Sequence, residues 1–341
     1  MRVLVTGTDG YIGAMLAPLL VNRGHEVVGV DTGFYREGWF NDCPPTSYTR
    51  IDKDVRRVSE DDVRGFDAVV HLAELSNDPL GEHDPAVTFQ INHQGSAGFA
   101  ARCKAAGISR FVYSSSCSVY GAGADGFRTE ESETDPQTVY AQCKILVEQA
   151  LMALADDDFS PTCLRNATAF GPSPRMRFDI VLNNLAGLAW TTKEIKMTSD
   201  GTPWRPLVHV LDICDAIACT LEAPRQAVHA QIFNVGDTRQ NYRVKEIAAI
   251  VADVFPGCAL SFGQSDGDKR SYRVSFDKIH RCLPEFDCVR DAAVGARQLF
   301  DLFSRVDMTA EDFAFRAYTR LKQLTYLLES RQLDTTLFWQ R

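Results

Sequence analysis

The chain has 341 residues, 45% hydrophobic and 24% charged, a globular composition with enough residues for one large or two modest domains. Its 36 basic and 45 acidic residues give a net charge of −9, which argues against a nucleic-acid or anionic-membrane surface. Any anionic ligand must therefore be held by local donors. No apolar run is long enough to span a membrane. The histidines and cysteines lack metal-ligand spacing, so we expect no metal site, and reduced thiols in a cytoplasmic protein.

The first half of the chain alternates short β-branched runs with longer helical patterns. Strands are predicted at "RVLVTG", "HEVVGVD", "DAVVHLAE", "RFVYSSS" and "SPTCLRNATAF". Helices are predicted over 11–23, over 85–106 and at "YAQCKILVEQALMALA". Strands that are apolar on both faces and alternate with helices indicate an α/β fold, with a parallel sheet covered on both sides.

Beyond "GPSP" this alternation becomes irregular, as expected where a smaller domain is assembled from insertions. "PLVHVLDICDAIACTLEA" and "QIFNVGD" are predicted to return to the large domain. Further helices are predicted over 244–254, 290–303 and 313–329, and the last is expected to pack its apolar stripe on the smaller domain. We assign 1–170, with roughly 206–235, to the large domain, and 171–205 with 236–341 to the smaller one.

A glycine-rich turn joins the first strand to the first helix. "VTGTDGYIG" places Gly7, Gly10 and Gly13 where backbone N–H groups at a helix N-terminus attract a diphosphate. Asp31 ends the next strand, where a carboxylate accepts hydrogen bonds from ribose hydroxyls and repels a 2′-phosphate, which favours NAD over NADP. A plain strand–helix turn and a turn-initiating aspartate are the alternatives.

Another acidic position precedes the next helix. Asp54 and Val55 in "IDKDVRR" lie where a carboxylate can bond the adenine amino group of a dinucleotide. An N-cap role explains Asp54 equally well, so both interpretations stay open.

Two polar stretches lie further along the chain. Tyr140 and Lys144 in "YAQCK" are i and i+4 on a helix, so they share a face, and the ammonium is expected to lower the pKa of the phenol. The same spacing recurs at Tyr318 and Lys322, which shows that it is not specific by itself. However, "RFVYSSS" places hydroxyls at the carboxyl end of a parallel strand, where α/β sheets bind ligands. We therefore predict that both stretches form one site, in which Ser116 holds the substrate oxygen whose proton Tyr140 takes.

These motifs in this order resemble the extended short-chain dehydrogenase/reductase family, in its nucleotide-sugar epimerase/dehydratase branch. The similarity runs from "VTGTDGYIG" through "VVHLAE", "QINHQGS", "SSSCSVYG", "YAQCK", "AFGP", "WRPLVHVLDI" and "NVGD". The resemblance implies a Rossmann domain that binds NAD and a smaller C-terminal α/β domain that binds a nucleoside-diphosphate sugar. It also implies homodimers formed through the helices at roughly 85–106 and 137–156.

The resemblance implies roles for individual residues. Tyr140 is the catalytic base, Lys144 its partner and a nicotinamide-ribose ligand, and Ser116 the assisting hydroxyl. Asn92 takes the place of a structural asparagine, and Arg205 that of an arginine that grips the sugar-nucleotide diphosphate. The predicted cofactor contacts are Gly7, Gly10, Tyr11, Ile12, Gly13, Asp31, Asp54, Val55, Leu72, Ala73, Asn92, Ser114, Tyr140 and Lys144. The predicted substrate contacts are Glu74, Ser115, Ser116, Cys117, Asn166, Thr168, Arg205 and Arg270.

Several positions depart from the family pattern. Cys117 and Ser118 replace the Asp-Glu pair of the 4,6-dehydratases, and neither suits that chemistry. Glu74 replaces a small residue, and it either contacts the sugar, assists proton transfer, caps a helix or faces solvent. Thr168 stands where many sugar epimerases have asparagine. Ser265 falls near a position where the family often has a second diphosphate-binding arginine. Arg270 or Arg273 is the expected substitute.

The resulting prediction is an NAD-dependent nucleotide-sugar epimerase that oxidises C4 to a 4-keto sugar and reduces it on the other face. A 4-dehydrogenase or a 4-ketoreductase would use the same residues, so both remain alternatives. A 4,6-dehydratase is less favoured, and a non-catalytic NAD-sensing protein is least favoured.

Overall fold

The computed structural model describes residues 1–40, 47–76, 78–264 and 270–340. The strands in these ranges are β1 (Arg2–Thr6), β2 (Glu26–Asp31), β3 (Thr49–Asp52), β4 (Ala68–His71), β5 (Arg110–Ser116), β6 (Ala122–Arg128), β7 (Ser160–Asn166), β8 (Thr168–Phe170), β9 (Glu194–Lys196), β10 (Trp204–His209), β11 (Gln231–Val235), β12 (Asn241–Arg243), β13 (Ala259–Ser261) and β14 (Ser271–Val274).

The α-helices in the same ranges are α1 (Gly13–Asn22), α2 (Glu60–Val63), α3 (Asp78–His83), α4 (Pro85–Thr88), α5 (Ser96–Ala105), α6 (Val139–Leu154), α7 (Val181–Thr192), α8 (Val210–Glu222), α9 (Arg225–Val228), α10 (Val244–Val254), α11 (Asp277–Cys282), α12 (Ala292–Arg305), α13 (Ala310–Ala314) and α14 (Arg320–Glu329). Short 3-10 helices lie at Val55–Arg57, Cys117–Tyr120, Thr238–Gln240 and Arg316–Tyr318.

A seven-stranded parallel sheet forms the larger core, in the order β11-β7-β5-β4-β1-β2-β3. Helices α1 and α8 cover one face of this sheet, and α5 and α6 cover the other. Because both faces are covered, the central strands are buried and read as continuous apolar runs. The predicted α/β fold class is confirmed. Parallel pairing also brings the carboxyl ends of β1, β2, β4, β5 and β7 to one edge of the sheet.

A second apolar core lies among α7, α10 and α12, beside a three-stranded sheet in the order β12-β10-β8. Strand β10 pairs with β8 and β12. The segment "PLVHV" therefore lies outside the large sheet, whereas β11 and α8 pack where they were predicted. Apolar patterning identifies a buried strand but does not specify its partner. The assigned domain boundaries remain a prediction.

Two predicted helices differ from the structure. The pattern over 85–106 is interrupted by a π-helical segment, Phe89–Gly95, between α4 and α5. The helix predicted over 313–329 is wrong, because α13 ends at Ala314 and α14 begins at Arg320. The apolar side of α14 packs on Phe34 and Leu75, near the large sheet, and not on the smaller domain.

Within the described ranges, no helix is both long and apolar enough to cross a membrane. The nine cysteines in these ranges are all free thiols. The predicted cytoplasmic location and the predicted homodimer stay predictions.

Candidate active site

A cleft of about 550 Å³ lies at the carboxyl edge of the large sheet. It collects most of the predicted site residues, namely Gly7, Gly10, Tyr11, Ile12, Gly13, Asp31, Asp54, Val55, Leu72, Ala73, Glu74, Ser114, Ser115, Ser116, Tyr140, Lys144, Asn166, Thr168, Arg205 and Arg270. Two other predicted contacts, Asn92 and Cys117, do not line the cleft.

Asn92 and Cys117 are directed into the protein interior. The Asn92 amide accepts a hydrogen bond from the Leu75 backbone N–H at 2.8 Å and donates one to the Leu75 carbonyl at 2.9 Å. It therefore holds the segment after β4 in place. Cys117 is 1% exposed, and its thiol lies 3.1 Å from the Arg165 carbonyl. Because successive side chains at a strand end point in opposite directions, Ser116 faces the cleft and Cys117 does not. Neither residue therefore lies where the predicted ligand contacts would place it, at the wall of the cleft.

The glycine loop leaves room for a ligand only because it lacks side chains. Gly7 has φ +80°, and a Cβ placed there would lie 3.0 Å from the Ala73 nitrogen. A Cβ on Gly13 would lie 2.1 Å from the Gly7 carbonyl oxygen. The loop therefore forms a cradle at the N-terminus of α1, which suits a dinucleotide diphosphate.

Asp31 closes the next part of the cleft, at the end of β2. Its carboxylate accepts hydrogen bonds from the Gly33 N–H at 2.7 Å and the Asp9 N–H at 2.9 Å. Burial, with the neighbouring Asp9 charge, raises the pKa of Asp31 to about 6. The carboxylate is thus fixed at the edge of the cleft, as a ribose-binding acid requires. These features, together with the glycine cradle, fit a dinucleotide.

Asp54 is the N-cap of the 3-10 helix Val55–Arg57, because its side chain accepts a hydrogen bond from the Arg56 N–H at 2.8 Å. The capping interpretation of Asp54 is therefore confirmed. Asp54 and Val55 also line the cleft, so a contact with adenine remains a prediction.

The serine and Tyr-Lys stretches meet at the opposite end of the cleft. Thr138 caps α6, which places Tyr140 in the first turn of that helix and Lys144 one turn later. The Ser116 and Tyr140 side chains both line the cleft here, and the Lys144 Nζ lies 5.4 Å from the centre of the Tyr140 ring. Lys144 also donates a hydrogen bond to the Ser114 carbonyl. The phenol, the hydroxyl and the ammonium thus form one constellation.

Glu74 is a buried partner of this constellation. Its Oε2 lies 2.7 Å from the Lys144 Nζ, and the two side chains are 2% and 6% exposed. Its Oε1 accepts a hydrogen bond from the Tyr113 hydroxyl at 2.6 Å. The Ser96 hydroxyl donates a hydrogen bond to Glu74 Oε1 at 3.4 Å and lies 2.8 Å from His71 Nε2. Ser96 therefore connects Glu74 to β4 of the sheet. The solvent-facing interpretation of Glu74 is therefore wrong.

These charges act on the Tyr140 phenol in opposite directions. Burial raises the pKa of Tyr140, and the Glu74 and Asp78 carboxylates raise it further, while Lys144 and the Ser116 hydrogen bond lower it. The net shift of the pKa is upward. The expectation of a lowered pKa for Tyr140 is thus wrong, because burial outweighs the effect of the Lys144 ammonium, which is already paired with Glu74.

The predicted sugar-nucleotide arginines lie on another wall of the cleft. Arg205 donates hydrogen bonds to the Trp204 carbonyl at 2.8 Å and to the Arg270 carbonyl. Arg270 forms an ion pair with Asp78. Both line the cleft with protein partners that fix them. Ser265 lies outside the described residues.

Sequence reasoning missed two further arginines in this cleft. Arg177 and Arg320 line it together with Asp179, yet neither belongs to a motif that predicts a ligand. The two arginines in "PRMRFD", directly after "AFGP", were the available signal for Arg177. Arg320 is distant in sequence and reaches the cleft only through tertiary packing.

Comparison with known proteins shows which enzymes this chain is similar to. A UDP-glucose 4-epimerase from Corynebacterium glutamicum is 28% identical over 269 residues, 74% of this chain and 80% of the relative. A UDP-N-acetyl-alpha-D-glucosaminuronate decarboxylase from Bacillus cytotoxicus is 25% identical over 258 residues, 72% of this chain and 78% of the relative. The solved structure of MoeE5 in complex with UDP-glucuronic acid and NAD has a TM-score of 0.77 at 26% identity, over 89% of this chain and 99% of that one.

Residues 3–236 match the NAD dependent epimerase/dehydratase family, and this span contains every strand of the seven-stranded sheet. The match confirms the predicted family resemblance, the enzyme class and NAD as the cofactor. The chain belongs to the NAD-dependent epimerase/dehydratase family.

Proposed function

We propose that this protein is an NAD-dependent nucleotide-sugar 4-epimerase. The observation that carries the proposal is the placement of Ser116, Tyr140 and Lys144 together in the cleft that also contains the glycine cradle. The UDP-glucose 4-epimerase relative supports this reaction type, and MoeE5, solved with UDP-glucuronic acid and NAD, supports the ligand class.

The chain's own residues supply proton transfer and orientation. The Ser116 hydroxyl holds the C4 oxygen of the sugar, and the ionised Tyr140 takes the C4 hydroxyl proton. Lys144 keeps a positive charge beside the phenolate, and Glu74 fixes the position of that ammonium. NAD, when bound, supplies hydride transfer at C4. Return of the proton from Tyr140 to the opposite epimer completes the cycle.

Recognition of the nucleotide sugar is assigned to the wall formed by Arg205, Arg270, Asn166 and Thr168. On a protein with a net charge of −9, a diphosphate needs such local guanidinium donors. The Asn166 amide donates a hydrogen bond to the Ser114 hydroxyl at 3.0 Å, so this wall is tied directly to the catalytic strand β5.

One observation favours a second candidate, a nucleotide-sugar 4-ketoreductase. The raised pKa of Tyr140 keeps the phenol protonated near neutral pH, and a neutral phenol is the proton donor that ketone reduction needs. A 4-dehydrogenase would use the same site at higher pH. A 4,6-dehydratase lacks support, because Cys117 is buried away from the cleft and Ser118 carries no ionisable group.

The test is product analysis without added cofactor. The purified protein is incubated with UDP-, GDP-, dTDP- and CDP-sugars, and the products are separated and assigned by NMR. The proposal predicts a product with inverted C4 and no net NADH. Stoichiometric NADH with a ketosugar would replace the epimerase by a dehydrogenase, and reduction of ketosugars alone would favour the ketoreductase.

A further inference from the structure

A buried arginine, Arg177, lines the cleft without using all of its hydrogen-bond donors. The residue is 8% exposed, and its Nε donates a hydrogen bond to the Asp179 carboxylate at 2.8 Å. Its Nη1 lies 3.4 Å from the Ser76 hydroxyl and 3.5 Å from the Ser76 carbonyl. Among the residues that the structure describes, its Nη2 is buried without a hydrogen-bond partner. The guanidinium is therefore anchored at Nε and keeps donor capacity at Nη2 for a ligand.

The contact with Ser76 places Arg177 near the Tyr140 phenol. Ser76 lies midway between Glu74 and Asp78 in the chain, and the charges of both carboxylates act on Tyr140. Arg177 and Tyr140 also interact with each other through charge. The guanidinium therefore lies at the catalytic end of the cleft, where C4 of a sugar would meet Tyr140.

The surroundings of Arg177 have an excess of positive charge. Arg320 is 2% exposed, and its backbone N–H donates to the same Asp179 carboxylate at 3.1 Å. Within the described ranges, no carboxylate lies at ion-pair distance from the Arg320 guanidinium. Burial, and then repulsion from Arg177, lowers the pKa of Arg320 to about 10. A bound anion would offset both the burial and the repulsion.

The position of Arg177 indicates that this anion is a substituent of the sugar. The diphosphate of the sugar nucleotide is assigned to Arg205 and Arg270, on another wall of the cleft. In a hexose, C6 is attached to C5, which is the neighbour of the C4 whose hydroxyl faces Tyr140. The two oxygens of a C6 carboxylate match the paired N–H donors of a guanidinium beside that phenol. A C6 hydroxyl would accept a bond from Nη2 but would leave the excess charge uncompensated.

We propose that Arg177 binds a carboxylate at C6 of the sugar, so that the substrate is a nucleoside-diphosphate hexuronic acid. The inference rests on the proposed function in taking a nucleotide sugar whose C4 faces Tyr140. Arg320 does not touch the sugar in this account, because it adds positive charge behind Arg177 and helps to hold Asp179. The carboxylate serves recognition only, and no bond at C5 or C6 is broken.

The test compares the binding of nucleotide sugars that differ only at C6. The pairs are UDP-glucuronic acid with UDP-glucose, and the corresponding pairs that carry GDP, dTDP and CDP. Equilibrium dialysis of the NAD-loaded protein counts bound nucleotide whether or not C4 inverts. Wild type is expected to bind at least one acid about 10- to 100-fold more tightly than its neutral partner, because only the acid gains a charge-assisted pair of hydrogen bonds. The absence of a preference for the acid in every pair would overturn the proposal.

Arg177→Gln tests whether this arginine provides the preference. The change should weaken binding of the acid about 10- to 100-fold and binding of the neutral sugar less than about twofold. Arg331→Gln, at an exposed arginine, is the matched control and should behave as wild type. If Arg177→Gln does not fold, Arg177→Lys replaces it, and the preference should fall about fivefold because an ammonium lacks the paired donors. An unchanged preference in the variant that folds would overturn the assignment.

Two other outcomes would assign Arg177 to a different ligand. An equal loss of affinity for the acid and for the neutral sugar would assign it to the diphosphate of the sugar nucleotide. A loss of NAD affinity, measured by calorimetry on the same variants, would assign it to the dinucleotide. Either result contradicts the proposal, which predicts unchanged NAD binding. Because dialysis needs no turnover, the preference for the acid is measured even if the proposed epimerisation fails, so the two failures are distinguishable.

Discussion

At one end of the cleft, the Lys144 ammonium faces the Glu74 carboxylate at 2.7 Å, beside Tyr140 and Ser116. We call these four residues the proton-transfer cluster. At the other end, the glycine loop lies beside the Asp31 carboxylate, which accepts hydrogen bonds from the Gly33 and Asp9 N–H groups. The first arrangement is balanced in charge while the phenol keeps its proton, and ionisation of Tyr140 would place a second anion beside the single ammonium, in agreement with the raised pKa of Tyr140. The second combines the glycine cradle with a fixed carboxylate, which suits the diphosphate and the ribose of a dinucleotide. One cleft thus separates proton chemistry from cofactor binding.

The strongest test of this separation is Tyr140→Phe. Removing the acid–base group should lower kcat about 10²- to 10⁴-fold while NAD remains bound, because the glycine loop and Asp31 are untouched. Steady-state assays and NAD titration measure the two effects. Tyr318→Phe, in the other Tyr-x-x-x-Lys pair and outside the lining of the cleft, should leave both unchanged. Loss of NAD binding in Tyr140→Phe would contradict the separation.

Charge balance in the proton-transfer cluster is tested by Lys144→Met. This change leaves Glu74 buried without its counter-ion, which should lower the free energy of unfolding by about 3–5 kcal/mol. Urea denaturation provides the measurement. The double variant Lys144→Met/Glu74→Gln removes both charges and should recover most of that loss. Equal instability of the single and double variants would show that the pair is not balanced as described.

The pH profile of the single variant Glu74→Gln tests whether the Glu74 charge acts on the pKa of Tyr140. The Glu74 charge raises the pKa of Tyr140 and neutralises the ammonium that would lower it. Without that charge the phenol ionises more readily. The acidic limb of the pH profile of kcat/KM for sugar oxidation should therefore move to lower pH by about one unit. The observable is kcat/KM against pH. An unmoved limb, or a shift to higher pH, would refute a role of Glu74 through Lys144.

The smallest effect is expected for Cys117→Ser. The thiol is buried and directed to the Arg165 carbonyl, away from the cleft, so a hydroxyl of similar size should change kcat and KM by less than about twofold. A large change in KM for the nucleotide sugar would restore the substrate contact predicted from the sequence.

Local pattern was sufficient for the parts of the site that lie within single strand–loop–helix units. The glycine loop, Asp31 after β2 and the hydroxyls after β5 follow from periodicity and position, because parallel strands bring their carboxyl ends together. The joint site of Ser116, Tyr140 and Lys144 was predicted in the same way, and the family resemblance added the nicotinamide-ribose contact of Lys144. The protonation state of Tyr140 could not be predicted from the sequence, because the pairing of Glu74 with Lys144 depends on packing between β4 and α6.

The two further arginines of the cleft were unpredictable for a related reason. Arg177 and Arg320 are 143 positions apart, and the apolar stripe of α14 showed that one face is buried without showing against what. For the same reason, "PLVHV" was wrongly predicted to belong to the large sheet. Asn92 and Cys117 were predicted as ligand contacts with the family resemblance, whereas their side chains point into the interior.

The most direct test of the proposed reaction follows the hydride itself. The nucleotide sugar identified by the substrate panel is prepared with deuterium at C4 and incubated with the protein without added NAD. We predict that deuterium remains at C4 of the inverted product and that no free NADH forms. Deuterium in released NADH, together with a ketosugar, would contradict the epimerase assignment.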